Sequence, residues 1–319
     1  MTHDPPARAF TRRRFLAATS GAMAAMSLPA LGASSRTMLA ATGVQLGWLT
    51  PELEKDFDGT LHKLAAIGYQ DVELLGNFGR STRRLLDSFN AAGLRCQSNL
   101  FPLEPGKPGL DAEISKQIDF AHALGLRYLV CMVPVPMGLP IDNPWDTDPK
   151  LLAAALDKLT LDDFKRQAAL FNSIGARAKK AGLQFAYHNF NYEFRRIDGV
   201  LGYDQLLRST DPDLVYMEMD CGWLASSGQD PARYLRKYPG RFPVLHVKDV
   251  NHHDPNTVFR LEPIEVGRGI VDWQQVLAAA AASGVKIGYV EYEPPAPLKR
   301  PLLESAKNCL DYLHTLAQR

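Results

Sequence analysis

The sequence predicts an α/β chain folded as a single-domain (β/α)8 barrel over residues 43–319. Three observations carry the prediction. Short apolar runs that read as strands alternate with longer runs of helical period. Most of the helical runs end in a glycine just before the next strand. Four of the strand-like runs end in a residue able to bind a metal or move a proton: His188, Asp220, His246 and Glu291. These are separated by 32, 26 and 45 residues, each about one strand, helix and returning strand, or that unit with an insertion. A doubly wound open sheet is the competing architecture. It calls for a glycine-rich phosphate loop after the first strand, and WLTPELEKDF has none.

In chain order, residues 1–34 stand apart from the rest. Thr11, the run Arg12 to Arg14, Phe15 and Leu16 precede an uncharged, Ala-rich stretch that ends among small residues near Gly32 to Ser35. This is the pattern of a twin-arginine signal, and it implies the twin-arginine export machinery and a periplasmic mature protein. Eight strand-like runs follow: VQLGWLT, YQDVELLG, LRCQSNLF, RYLVCMVPV, LQFAYHNF, LVYMEMD, FPVLHVKD and IGYVEYE. Between them lie TLHKLAAIG, TRRLLDSFNAAG, ISKQIDFAHALG, FKRQAALFNSIGARAKKAG and WQQVLAAAAASG, each closed by a glycine cap signal. The remaining helices are YDQLLRS, DPARYLRKY with Asp230 as N-cap and Pro231 at the first helical position, and the closing PLLESAKNCLDYLHTLAQ. Two loops are longer than the scaffold requires, one after the fourth strand and one after the seventh. Both follow strand C-termini, where such a barrel places its chemistry.

Charge excludes one class of partner. Removing residues 1–34 takes away four arginines and one aspartate, leaving 32 basic against 34 acidic side chains, a net charge of −2. No basic footprint for nucleic acid remains. No stable membrane anchor is expected, and assembly as a homo-oligomer is allowed. The four cysteines are scattered and form no CxxC, so buried packing is the expectation rather than a disulfide framework or a thiolate zinc site.

Two imidazoles and two carboxylates from four strand ends suit one divalent metal with open positions, whether Mn, Zn, Co, Fe or Mg. Inward-facing barrel positions are otherwise branched and apolar, so four polar residues there point to a site. Glu218 lies two residues before Asp220, on the same face and about 7 Å deeper, where it would orient a ligand. Lys248 stands in the same relation to His246, placed to hold a substrate oxygen or stabilise an enolate, or else to pair with Asp249. Glu73 and Glu193 could each serve as acid or base. Asn99, Asn189 and Trp223 are candidate substrate contacts. His252 and His253 diverge on a loop and are expected to face solvent.

The segments GYQDVELLG, HNFNYEF, MEMDCGW, DPARYLRKYPGRFPVLHVKD, VGRGIVDW and YVEYE resemble the sugar phosphate isomerase/epimerase proteins of the xylose isomerase-like TIM-barrel superfamily. The resemblance spans residues 43–319 and implies metal ligands at the ends of the fifth to eighth strands. Asp220, His246 and Glu291 match that set directly. His188 stands where relatives carry a carboxylate, one of two that act as paired acid and base. Two-base epimerisation then requires Glu193 as the second base, and one-sided chemistry gains weight.

The leading expectation is a metal-dependent sugar isomerase or epimerase. It would act on an unphosphorylated sugar or keto-sugar, abstracting a proton beside a carbonyl and stabilising the enediolate through the metal, with Glu291 as catalyst as well as ligand. Lyase or hydratase chemistry on 3-keto-glycosides at the same site, and a non-catalytic carbohydrate-binding barrel, are the alternatives. Hydrolysis of abasic DNA, a third class, conflicts with the acidic mature chain.

Overall fold

The computed structural model describes residues 42–104, 110–133, 139, 141, 143–254, 258–295 and 297–317. Residues 1–34, which the sequence suggests are a twin-arginine leader, lie outside the described residues. Eight parallel strands close into a barrel: β1 (Thr42–Gln45), β2 (Asp71–Leu75), β3 (Arg95–Pro102), β4 (Tyr128–Met132), β5 (Gln184–His188), β6 (Val215–Asp220), β7 (Val244–Val247) and β8 (Ile287–Val290). Each pairs with its sequence neighbours, and β1 pairs with β8 to close the ring. The intervening helices are α1 (Phe57–Ile67), α2 (Thr82–Ala92), α3 (Leu110–Leu124), α4 (Leu161–Lys180), α5 (Gly202–Ser209), α6 (Pro231–Lys237) and α7 (Trp273–Ser283), with α8 (Leu302–Ala317) closing the chain. This is the single-domain (β/α)8 barrel expected from the alternation.

Local chemistry explains the boundaries. Asp56, Ser81, Thr160, Asp230 and Asp272 accept backbone N–H bonds at the starts of α1, α2, α4, α6 and α7. Such caps satisfy donors that a helix start leaves open. At the other ends, Gly93 and Gly284 sit at φ 71° and 88°, a left-handed conformation that a Cβ would strain. The first strand is shorter than VQLGWLT implied. It stops at Gln45, whose side-chain oxygen accepts from Gly47 N at 2.6 Å and turns the chain into the short helix Thr50–Lys55.

Two cores divide the apolar residues. Leu100, Tyr128, Val130, Ala186, Val244, Ile287 and Tyr289 fill the barrel interior, while a larger cluster lies between strands and helices. The four thiols are free, with Cys131, Cys221 and Cys309 buried. Among the described residues no helix is long and apolar enough to cross a membrane.

Two small antiparallel ribbons escaped the sequence reading. Arg196–Ile197 pairs with Val200–Leu201 around Asp198 and Gly199, both at positive φ, so the Asp-Gly dipeptide was a legible hairpin signal. Asp249–Val250 pairs with Pro263–Ile264 and folds the long loop after β7 back on itself.

Candidate metal centre

Strand alternation turns His188, Asp220, His246 and the residue after β8, Glu291, into one end of the barrel. One ligand atom from each lies within 4.8 Å of the others, and all four residues are buried. His188 Nε2 is 3.2 Å from His246 Nδ1 and 3.5 Å from Asp220 Oδ2. His246 Nδ1 is 3.7 Å from Asp220 Oδ2 and 2.8 Å from Glu291 Oε2. Four donors held tetrahedrally at 2.0–2.2 Å from one ion stand about 3.3–3.6 Å apart. Three of these separations lie close to that range, and the 2.8 Å contact of His246 with Glu291 would open by about half an ångström around a single divalent cation. Asp220 Oδ2 is buried without a hydrogen-bond partner, which an ion would supply.

Asp220 is fixed by more than its strand. It caps the helix Cys221–Ser226, its Oδ1 accepting from Trp223 N at 2.8 Å, so Oδ2 alone faces the cluster. Burial pushes its carboxyl up, but the charge on Lys248 and the imidazoles of His188 and His246 close by outweigh that and hold it well below the usual range. Burial likewise raises Glu291, and Lys248 with His246 brings it net down. For His246 burial favours the neutral ring, yet the charges of Glu218, Glu291 and Glu73 raise it well above its ordinary value. An excess of buried negative charge is the environment a cation neutralises.

Lys248 is 1% exposed and does not pair with Asp249. Its ammonium reaches Glu293 at 2.6 Å, Glu291 at 3.0 Å and Asp220 at 3.5 Å, and lies over the Trp223 ring at 5.3 Å. The alkyl stem lies against Gly222, where an added Cβ would meet Lys248 Cγ at 2.6 Å. Asp249 instead accepts from the N–H groups of Gly267, Gly269 and Val271 and from Trp273 Nε1, which accounts for the VGRGIVDW segment. Glu293 was missed, although YVEYE places it two residues beyond Glu291 and therefore on the same face.

Several expected site residues take other positions. Glu73 faces the interior but lies beneath the cluster, fully buried, with Oε2 2.6 Å from His246 Nε2 and Oε1 accepting from Ser98 Oγ at 2.5 Å. It is not placed to meet a substrate. Glu218 lies beside it, its oxygens without a hydrogen bond; burial, then the charge on Glu73, raises its carboxyl well above the ordinary value. Glu193 lies on the helix side of β5, because it bonds to Tyr187, whose side chain points opposite to that of His188. It also accepts from Phe190 N at 2.9 Å, and burial pushes its carboxyl up to about 7. A base on that face cannot reach the barrel mouth.

Asn99 also looks outward. A register shift between Val72 and Glu73 pairs Glu73 with Ser98, so Ser98 and Leu100 point inward and Asn99 reaches Gly76 N at 3.2 Å and Gln117 on α3 at 3.3 Å. Asn189 stitches β5 to β6: its oxygen accepts from Asp220 N at 3.1 Å and its amide nitrogen donates to the carbonyls of Phe190 and Asp220. Its polar atoms are spent on backbone rather than offered to substrate. Trp223 does border the cluster, packing edge-on to Phe190 at 5.5 Å. Phe190 in turn meets His188 at 5.4 Å and Phe259 at 5.0 Å, an aromatic wall whose Phe259 member no sequence signal marked. His252 and His253 are exposed.

Comparison with known proteins agrees with this architecture. The family described as xylose isomerase-like TIM barrel matches residues 61–313. An inosose dehydratase of Lacticaseibacillus casei is 26% identical over 293 residues, covering 84% of this chain and 94% of that protein. The structure of a sugar phosphate isomerase/epimerase from Parabacteroides distasonis superposes with a TM-score of 0.66 at 25% identity, covering 86% of this chain and 93% of the other. A structure of the IolI protein with a bound zinc atom superposes with a TM-score of 0.63 over 87% of this chain and 98% of the other. At 13% identity that last likeness is one of fold.

Proposed function

Because this chain belongs to the xylose isomerase-like TIM-barrel family, we propose that it is a metal-dependent lyase that removes water from a polyhydroxylated keto substrate. The substrate class is an unphosphorylated keto-sugar, 3-keto-glycoside or keto-inositol. The observation that carries this reading is the pair Glu291 and Lys248, 3.0 Å apart at the mouth of the site. A carboxylate and an ammonium side by side can take a proton from one carbon and give one to the oxygen leaving the next carbon, both on the same face of a substrate.

His188, Asp220, His246 and Glu291 would hold the cation. When bound, a divalent ion there supplies a Lewis acid for the substrate carbonyl and acidifies the neighbouring C–H. Glu291 takes that proton, the C–H electron pair becomes the new C=C bond, and the β C–O bond breaks. The departing hydroxyl takes a proton from Lys248 and leaves as water. Transfer of the proton from Glu291 to Lys248 restores both groups. Glu293 and Asp220 hold the ammonium in place, and the wall of Trp223, Phe190 and Phe259 limits access of water.

Isomerase or epimerase chemistry is the second reading, favoured by the likeness to the Parabacteroides distasonis protein. Epimerisation needs bases on opposite faces of the substrate. The fifth strand offers an imidazole, and Glu193 lies behind it. The relative named inosose dehydratase supports the lyase reading, and the twin-arginine leader supports a periplasmic reaction.

The test is incubation of the metal-loaded protein with an inosose and with 3-keto-glycosides in deuterated water, followed by NMR. The expected result is loss of water and an unsaturated ketone or its tautomer. Deuterium uptake with inversion and no loss of water would establish the epimerase instead. Binding of the sugar with no metal content and no exchange would establish the non-catalytic barrel.

A further inference from the structure

His246 uses both ring nitrogens. Nδ1 faces His188, Asp220 and Glu291, while Nε2 points down the barrel to Glu73 Oε2 at 2.6 Å. We propose that Glu73 is the positioning residue of the metal centre: its carboxylate accepts the Nε2 proton of His246 and keeps the Nδ1 lone pair turned toward the other three ligands. The inference rests on the metal centre of the preceding reading and assigns a role to a residue that never meets substrate.

Distances decide between the candidates for this role. A contact of 2.6 Å is at the short limit for a hydrogen bond from an imidazole N–H to a carboxylate. Glu218 Oε2 is 3.3 Å from the same nitrogen, so Glu73 is the acceptor. The Nε2 side of His246 offers one tight contact, to Glu73 at 2.6 Å, with Glu218 at 3.3 Å, whereas its Nδ1 side faces three further donor groups, those of His188, Asp220 and Glu291, so the cation is assigned to the Nδ1 side.

Glu73 is itself held. Ser98 Oγ donates to its other oxygen at 2.5 Å, so a chain of contacts runs from β3 through β2 to β7 across the barrel interior. All three residues are fully buried, and water cannot substitute for a missing partner. An imidazole locked in this way cannot rotate or carry its only proton on Nδ1, either of which would remove a ligand.

The experiment uses the full folded protein stripped of metal, Zn²⁺ as the probe, and a competing chelator dye. For Glu73→Gln the expected result is a 10–100-fold loss of zinc affinity, the cost general to such supporting carboxylates. A merely structural role would lower the metal-free melting temperature yet leave the zinc affinity of the folded variant within twofold, whereas a positioning role lowers the zinc affinity of the folded protein whatever the melting temperature does. In the zinc-loaded protein the His246 Nε2 proton should give a slowly exchanging, low-field NMR resonance that the variant loses. Ser98→Ala keeps the carboxylate but frees its far end, and is expected to weaken zinc by less than tenfold; it serves if the first variant does not fold. Zinc affinity within twofold of the unmodified protein in both variants, with the resonance unchanged, overturns this inference alone. Absence of zinc binding by the unmodified protein overturns the metal reading and this inference together.

Discussion

Glu193→Gln separates two roles for one carboxyl. Glu193 is fully buried; its Oε1 accepts from the Tyr187 hydroxyl and from Phe190 N, and its Oε2 has no partner. Burial pushes its pKa from 4.5 to about 7, the bonds from Tyr187 and Phe190 pulling it partly back. Between those values the folded protein holds a proton that the unfolded chain has released. Stability therefore falls as pH rises from 4.5 to 7, and the loss is complete above about pH 7, the reverse of an ion-paired carboxylate. At 1.36 kcal/mol per pKa unit the full effect is about 3 kcal/mol, of which roughly 2.5 kcal/mol falls between pH 5 and pH 8. Glutamine keeps the shape and an oxygen for both donors but carries no charge. Relative to the unmodified protein, the variant should gain roughly 5–9 °C in melting temperature on going from pH 5 to pH 8. Calorimetry at the two pH values measures this, and turnover should change by less than threefold. A hundredfold loss of turnover without the pH-dependent gain would show that Glu193 is the missing second base.

Other substitutions test the centre directly. His246→Ala and Glu291→Ala should fold but lose metal; stoichiometric metal by elemental analysis in both would remove the site. Lys248→Met should retain metal and lose water elimination by a hundredfold or more, while deuterium exchange beside the carbonyl persists; loss of exchange to the same extent would make Lys248 a substrate-orienting group instead. Gly222→Ala forces the Lys248 stem aside, because the added carbon would stand 2.6 Å from Cγ. Turnover should fall at least tenfold with metal affinity retained, and an unchanged rate would mean that the position of Lys248 is unimportant. Asn189→Ala leaves Asp220 N unpaired in a buried setting and should cost about 1–3 kcal/mol in chemical denaturation. A loss under about 0.5 kcal/mol would show that the bridge is dispensable.

Much of this was legible without coordinates. A helix or strand declares itself through local periodicity and caps, which is why Asp230 with Pro231 and the glycine-closed helices fell where the spacing put them. The four candidate ligands were legible for the same reason: polar residues at the ends of apolar strands contradict the packing of a barrel interior. The errors have one physical source. Alternation assigns faces only within a strand of known register, and the shift between Val72 and Glu73 turned Asn99 outward. Beyond a strand it assigns nothing, so the turn carrying Glu193 folded to the helix side.

The sequence by itself determined the barrel, its strand ends and the metal-binding residue types, because each depends on neighbours a few positions away. Only the tertiary structure decided what those residues touch. Glu73 and His246 are 173 residues apart and meet because the closed ring brings β2 and β7 across the same interior. The pairing of Glu291 with Lys248 likewise depends on β7 and β8 lying side by side in register. Those long-range contacts gather the candidate ligands, the Glu73 carboxylate beneath them and the Glu291–Lys248 pair at one end of the barrel.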